Sequence, residues 1–217
     1  MTRRTNPALK TPIGLALGTL FLTSAAVFPW ALAEESTQAG DQEHAHHHHH
    51  PMPTGLQRSE VSYEIPDVTL VDQAGRRVPV RDLLDTDKPV LVNFIYTTCT
   101  GICPAMSATF EQVQKQLAGD SDKVTMVSVS IDPEQDTPDA LASYAKRFDA
   151  GPQWVFLTGS LEDSIQVQQA FNAYRGEKDN HAPLTLVRTG RDAKWTRFDG
   201  FANAGDLVSE LRVAIGG

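Results

Sequence analysis

Three short runs constrain the architecture of this 217-residue chain more than any other feature. They are PVLVNFIY (89–96), KVTMVSVSID (123–132) and WVFLTG (154–159). Each is rich in β-branched and aromatic residues and lacks the alternation of a strand with one wet face. Such runs read as central strands covered on both faces. Helical patterns lie between them. Phe110, Val113 and Leu117 recur at spacings of three and four, which predicts an amphipathic helix over Met106 to Leu117. Thr137-Pro138 reads as an N-cap and first helical residue, opening a helix to about Phe148. Ser160 to Tyr174 is a third helix, with Glu162 and Asp163 in the first turn, where the helix dipole favours acid.

The flanks complete the domain. VSYEIPDVTLVDQAGRRVPV (61–80) reads as an extra N-terminal β-hairpin around Asp72 to Gly75. PLTLVRTG (183–190) and KWTRFDGF (194–201) read as a second hairpin, and Asn203 to Ile215 as a closing amphipathic helix. No internal repeat is visible. The fold class expected is α/β, with a central mixed, mainly parallel sheet flanked by helices. Residues 61–217 suffice for one such core. Functional groups in these sheets gather beyond the carboxyl ends of the strands.

The start of the chain has a different character. Arg3, Arg4 and Lys10 precede an uncharged apolar run, Ile13 to Phe28, and Ala31-Leu32-Ala33 offers a cleavage site. Residues 1–33 therefore read as a signal peptide, with an uncleaved N-terminal anchor as the rival. Pro29 and the A-L-A ending favour cleavage. Residues 34–60 lack apolar periodicity and read as a disordered, His-rich linker. Export from the cytosol allows thiols to be oxidised and to stay so. The formal charge is −8, and loss of the three basic leader residues takes it to −11. Such a chain has no electrostatic footprint for nucleic acid or an anionic membrane surface, so any membrane contact is through the leader.

The chain has two cysteines, Cys99 and Cys103, in TTCTGICP (97–104), just past the first buried strand. Three readings compete: a structural disulfide, a redox couple, or two soft metal ligands. On a helix, residues four apart place their Cβ atoms about 5–6 Å apart. A relaxed disulfide wants about 3.5–4.5 Å, so a bridge calls for movement. A staple over so small a ring also constrains the unfolded chain little. A helix N-terminus near Pro104 stabilises thiolates, which serves metal binding and redox exchange alike.

Six of the seven histidines, His44, His46, His47, His48, His49 and His50, fall in the linker. They read as an auxiliary metal tract, with Met52 as a weak addition. His181 alone lies in the domain, just before the strand LTLV. A lone loop histidine is ordinarily just solvated. Pro183, however, resembles the proline that thioredoxin-like folds place before the strand facing their cysteines, which would bring His181 near the thiols. Two thiolates and an imidazole suit copper, with zinc the rival.

VNFIYTTCTGICPAMSATF, VSVSIDPEQDTPDAL, the histidine of DNHAPLTLV, and FDGFANAGDLVSELR together resemble the Sco/SenC family. The resemblance covers nearly everything from Val61 onward. It implies a thioredoxin-like fold and a copper ion, Cu+ or Cu2+, held by Cys99, Cys103 and His181. It also implies a metallochaperone that delivers copper to, or prepares, the copper A site of cytochrome c oxidase. The partners implied are the oxidase's copper-bearing subunit and other periplasmic copper carriers, with the chain itself a monomer. Two departures stand out. The family often shows Asp-His-Ser where this chain has Asn180-His181-Ala182, leaving Asp179 as a substitute acid, and Pro183 is unexpected there.

Two rival functions use the same cysteines. A thiol–disulfide oxidoreductase would reduce partner cysteines through a mixed disulfide and needs one exposed thiol of lowered pKa. A peroxidase-like thiol enzyme lacks its usual downstream features here. Asp132 and Asp136 read as acids near the metal loop or, preferably, as turn and cap residues, with Asp136 or Thr137 capping the next helix.

Overall fold

The computed structural model describes residues 55–216. The leader, most of the linker, the histidine tract 44–50 and Met52 lie outside the described residues. Among the described residues, no helix is long and apolar enough to cross a membrane.

Eight strands form one sheet: β1 (Gln57–Val61), β2 (Thr69–Asp72), β3 (Arg77–Pro79), β4 (Val90–Ile95), β5 (Thr125–Ser130), β6 (Trp154–Thr158), β7 (Leu184–Arg188) and β8 (Trp195–Asp199). Their order across the sheet is β1-β8-β7-β4-β5-β6-β2-β3. Among the described residues, five α-helices accompany them: α1 (Val80–Leu84), α2 (Ile102–Leu117), α3 (Pro138–Arg147), α4 (Leu161–Ala170) and α5 (Ala204–Ile215).

The β4 run is buried along its whole length because it serves two cores. Leu91 and Ile95 point to the face covered by Phe110 and Val113 of α2, Leu141 of α3 and Leu207 of α5. Val90, Val92 and Phe94 point to the other face, against Val80 of α1 and Val167 of α4. This is the period-2 alternation of a strand between two apolar layers. Asn93 interrupts the run with a buried polar link. Its Oδ1 accepts from Ser128 Oγ at 2.7 Å, and Ser128 Oγ accepts from Trp154 Nε1 at 2.9 Å.

Two expectations need correction. The sheet is mixed, but only β4–β5 and β5–β6 are parallel, while the other five pairings are antiparallel. Parallel neighbours require a crossover, and only α2 and α3 connect neighbouring strands that way. The rest of the sheet is built from the β2–β3 and β7–β8 hairpins and from the antiparallel pairings β1–β8, β4–β7 and β2–β6. The second correction concerns residues 57–60, read as linker. They belong to β1, which pairs with β8 along its whole length, from Gln57 opposite Asp199 to Val61 opposite Trp195. The expected N-terminal hairpin is β2–β3, closed by Gly75 N donating to Asp72 O at 2.9 Å.

Candidate metal and thiol site

The site lies at the carboxyl end of β4. Cys99 follows that strand by four residues, and Cys103 stands in the first turn of α2, which begins one turn earlier than the apolar periodicity alone suggests. Both cysteines are free thiols, Cys99 partly exposed and Cys103 fully buried. The antiparallel register of β7 on β4 sets Asn93 opposite Thr185. The chain entering β7 therefore runs beside the chain leaving β4, which carries His181 to Tyr96.

Tyr96 touches all three candidate donors. Its backbone N–H donates to Cys103 Sγ at 3.4 Å. Its hydroxyl lies close enough to the Cys99 thiol for each group to shift the other's pKa. Its ring meets the His181 ring edge-on, with centroids 6.3 Å apart. Burial, together with the neighbouring Cys99, raises the phenol pKa to about 12.

The two thiols are electrostatically unlike. Burial pushes Cys99 up, but N–H donors of Cys103 and Gly101, the Cys103 thiol and the Tyr96 hydroxyl outweigh it, and the net pKa lies below the usual thiol value. The Cys103 N–H, 3.4 Å from Cys99 Sγ, is one of the free amides at the start of α2. Cys103 goes the other way. Burial drives its pKa well above the usual thiol range, and Cys99 and Asp136 add to that. The helix N-terminus thus stabilises the outer thiolate and not the inner one.

His181 is 7% exposed, and its Nε2 is buried with no hydrogen-bond partner. Burial lowers its pKa to about 4, against a backbone hydrogen bond at Phe94 that favours the charged form. The imidazole is therefore neutral at pH 7, the form that ligates metal. Buried polar nitrogens without partners are uncommon in folded proteins.

The structure does not gather the three donors around one point. Among the described residues, no group of three or more His, Cys, Asp or Glu side chains is placed to hold an ion. Asp132 and Asp136 do other work. Thr137 caps α3, its side chain accepting from Ala140 N. Asp136 is fully buried and clamps the cysteine loop, accepting from Thr97 N at 3.0 Å, Thr97 Oγ1 at 2.6 Å and Ser130 Oγ at 2.5 Å. Asp132 pairs with Lys178, Nζ to Oδ2 at 2.5 Å. Sequence reasoning missed Tyr96 and Lys178. Tyr96 carried one usable signal, an aromatic hydroxyl closing a buried strand just before the cysteines.

Comparison with known proteins gives the geometry a context. The family model described as SCO1/SenC matches residues 57–199. A SCO1 protein homolog of Bacillus subtilis is 29% identical over 167 residues, covering 72% of this chain and 86% of the relative. Matches to Protein SenC of Rhodobacter capsulatus, 33% identical over 119 residues, and to a mitochondrial SCO1 homolog of Homo sapiens, 34% identical over 131 residues, cover 55% and 56% of this chain and only 52% and 40% of those relatives. The structure of Bradyrhizobium japonicum ScoI with copper bound is 26% identical, with a TM-score of 0.59, covering 71% of this chain and 99% of that one. BsSco, described as a member of the Sco family of cytochrome c oxidase assembly proteins with a disulfide switch, is 28% identical. Its TM-score is 0.61, over 72% of this chain and 95% of that one. With the family model spanning most of the chain and the thioredoxin-like domain intact around both cysteines, the chain belongs to the SCO1/SenC family.

Proposed function

We propose that this chain is a periplasmic copper metallochaperone that helps deliver copper to, or prepare, the copper A site of cytochrome c oxidase. Copper is the cargo, and Cys99, Cys103 and His181 are its ligands. The observation that carries this reading is the His181 Nε2, buried beside Tyr96 without a hydrogen-bond partner. A neutral imidazole and two free thiols form a soft donor set suited to copper(I), and copper(II) can use it with an extra ligand. The copper-bound Bradyrhizobium relative supports the reading. Since the donors are apart in the structure, loading draws the cysteine and histidine loops together. Transfer then proceeds by ligand exchange with Cys or His groups of the oxidase subunit or of another periplasmic copper carrier.

The test is the variant His181→Ala. It should lose at least about tenfold in copper(II) affinity, while its dithiol reduces a test disulfide at the wild-type rate. Unchanged affinity and spectrum would remove His181 from the site.

A second reading has its own observation, the asymmetry of the two thiols. A partly exposed Cys99 of lowered pKa beside a buried Cys103 is the arrangement of an attacking and a resolving thiol. Rapid disulfide exchange with copper binding no tighter than micromolar would favour a thiol–disulfide oxidoreductase.

Outside the described residues, residues 1–33 export the chain by a cleaved signal or an anchor, and residues 34–54 tether the tract. His44 and His46 to His50 collect copper and raise its concentration near the domain, which acts as a monomer. Deleting residues 44–50 should slow copper loading when metal is limiting, and unchanged loading would refute this role.

A further inference from the structure

His181 sits at the end of an unusually exposed stretch. Every residue from Tyr174 to Asn180 is exposed, and His181 is then buried. Such a segment has few apolar contacts to hold it, so its polar ties decide where it lies. Most of these ties are internal. Arg175 donates to the carbonyls of Tyr174 and Asn172, and the Asn180 side chain donates to Arg175 O. The backbone N–H of Asn180 donates to Glu177 O, and that of His181 to Lys178 O. Lys178 is the exception. Its Nζ reaches Asp132 Oδ2 at 2.5 Å, the one hydrogen bond among the described residues that joins 175–180 to a residue outside 172–181.

The partners of Lys178 are well placed. Asp132 is mostly buried just past the end of β5. The same ammonium lies 5.6 Å from the centre of the Tyr96 ring, which also meets the His181 ring edge-on. One side chain therefore connects the histidine loop to the carboxyl ends of both β4 and β5. The pair is partly exposed, with 42% of the Lys178 side chain accessible. In isolation an ion pair of that kind stabilises little. Here it ties the middle of a loop whose start is held by Tyr174 N–H donating to Gln168 O at 3.3 Å and whose end is the buried His181, so its effect is on position more than on global stability.

We propose that Lys178 is a positioning residue for the donor set, pinning the 175–180 loop to Asp132 and Tyr96 and thereby holding His181 beside the cysteine loop. The importance of that placement rests on the copper reading above. The pin itself does not. The charge and the reach both matter: an arginine retains the ion pair and the contact with the Tyr96 ring, whereas a methionine fills the same space and loses both.

The experiment uses the full chain, reduced, as wild type, Lys178→Met and Lys178→Arg. Hydrogen exchange is followed in the metal-free proteins, and copper(I) affinity by competition with a chelator. In Lys178→Met, amides of 175–182 should exchange about tenfold faster while β4 and β7 keep wild-type protection. Copper(I) affinity should fall about tenfold, the size of effect typical of a residue that orients a ligand. Lys178→Arg should restore both. Wild-type exchange over 175–182 in Lys178→Met would overturn the pin. Faster exchange with unchanged copper affinity would overturn its role in placing His181. Failure of the wild-type chain to hold copper(I) refutes the copper reading, while the exchange pattern still decides whether Lys178 holds the loop.

Discussion

The backbone N–H of Cys103 points at the sulfur of Cys99, 3.4 Å away. One cysteine thus sets the other's chemistry through the first turn of α2 and not through a bond between sulfurs. The expected consequence is strong selectivity. In the reduced, metal-free chain at pH 7, iodoacetamide should modify Cys99 at least about 100-fold faster than Cys103, as read by peptide mass spectrometry over time. The Cys99 rate should rise with pH and level off below the usual thiol pKa, since its thiolate is stabilised. Equal rates would mean that the inner thiol is not shielded as the burial of Cys103 requires.

Asp136 should prove a structural residue and not a ligand. Three donors converge on its buried carboxylate, two of them from Thr97 at the root of the cysteine loop. Asp136→Ala leaves them unpaired and should cost about 2–3 kcal/mol in urea unfolding. It should also narrow the reactivity gap between the cysteines by freeing the loop. A loss under 0.5 kcal/mol would contradict the clamp.

His181 links stability to pH in the metal-free chain. Its pKa is about 4 folded, against 6.5 for an ordinary histidine. Between those values the unfolded state binds more protons, so stability falls as pH drops from about 6.5 to about 4 and is fully present above that window. The shift corresponds to about 3 kcal/mol. Urea unfolding at a series of pH values measures it, and His181→Asn should remove that component of the slope. A wild-type slope in His181→Asn would contradict the assignment.

The hairpin β2–β3 offers an independent check far from the cysteines. Asp72 is almost fully buried, and its oxygens accept from the N–H groups of Ala74 and Arg76 and from Arg76 Nε. Burial raises its pKa, but the hydrogen bonds with Arg76 and Ala74 outweigh it and the net value is lowered. Asp72→Ala should destabilise by about 1–3 kcal/mol at pH 7. The difference from wild type persists above 3.8, the ordinary aspartate value, and disappears as pH falls through the lower folded-state pKa. Parallel unfolding curves for the two proteins at pH 7 and pH 3 measure this. A difference that stays constant with pH would show that the carboxylate is not the source.

How much of this was legible from the residues depends on whether the signal is local. Val90–Ile95 and Thr125–Ser130 announce themselves because both faces are covered, which leaves only apolar choices at most positions. β1 gave no such signal. Gln57, Arg58, Ser59 and Glu60 are all exposed, and the strand exists because the edge of β8 pairs with it. The split between parallel and antiparallel pairing depends on which helices cross over, and no run of residues records that. The cysteines were legible by type and by their place after β4. His181 was not legible by periodicity, since only the β4–β7 register brings it to Tyr96. Lys178 was hidden in an exposed polar stretch, with its partner Asp132 46 residues away.

The central claim is that two sulfurs and one imidazole from separate loops share a copper ion. X-ray absorption at the copper edge of the reduced full chain, loaded with less than one equivalent of copper(I), tests it most directly. The expected first shell is two sulfur neighbours and one imidazole nitrogen, with the imidazole signature lost in His181→Ala. A shell of nitrogen alone, or one unchanged by His181→Ala, would contradict it.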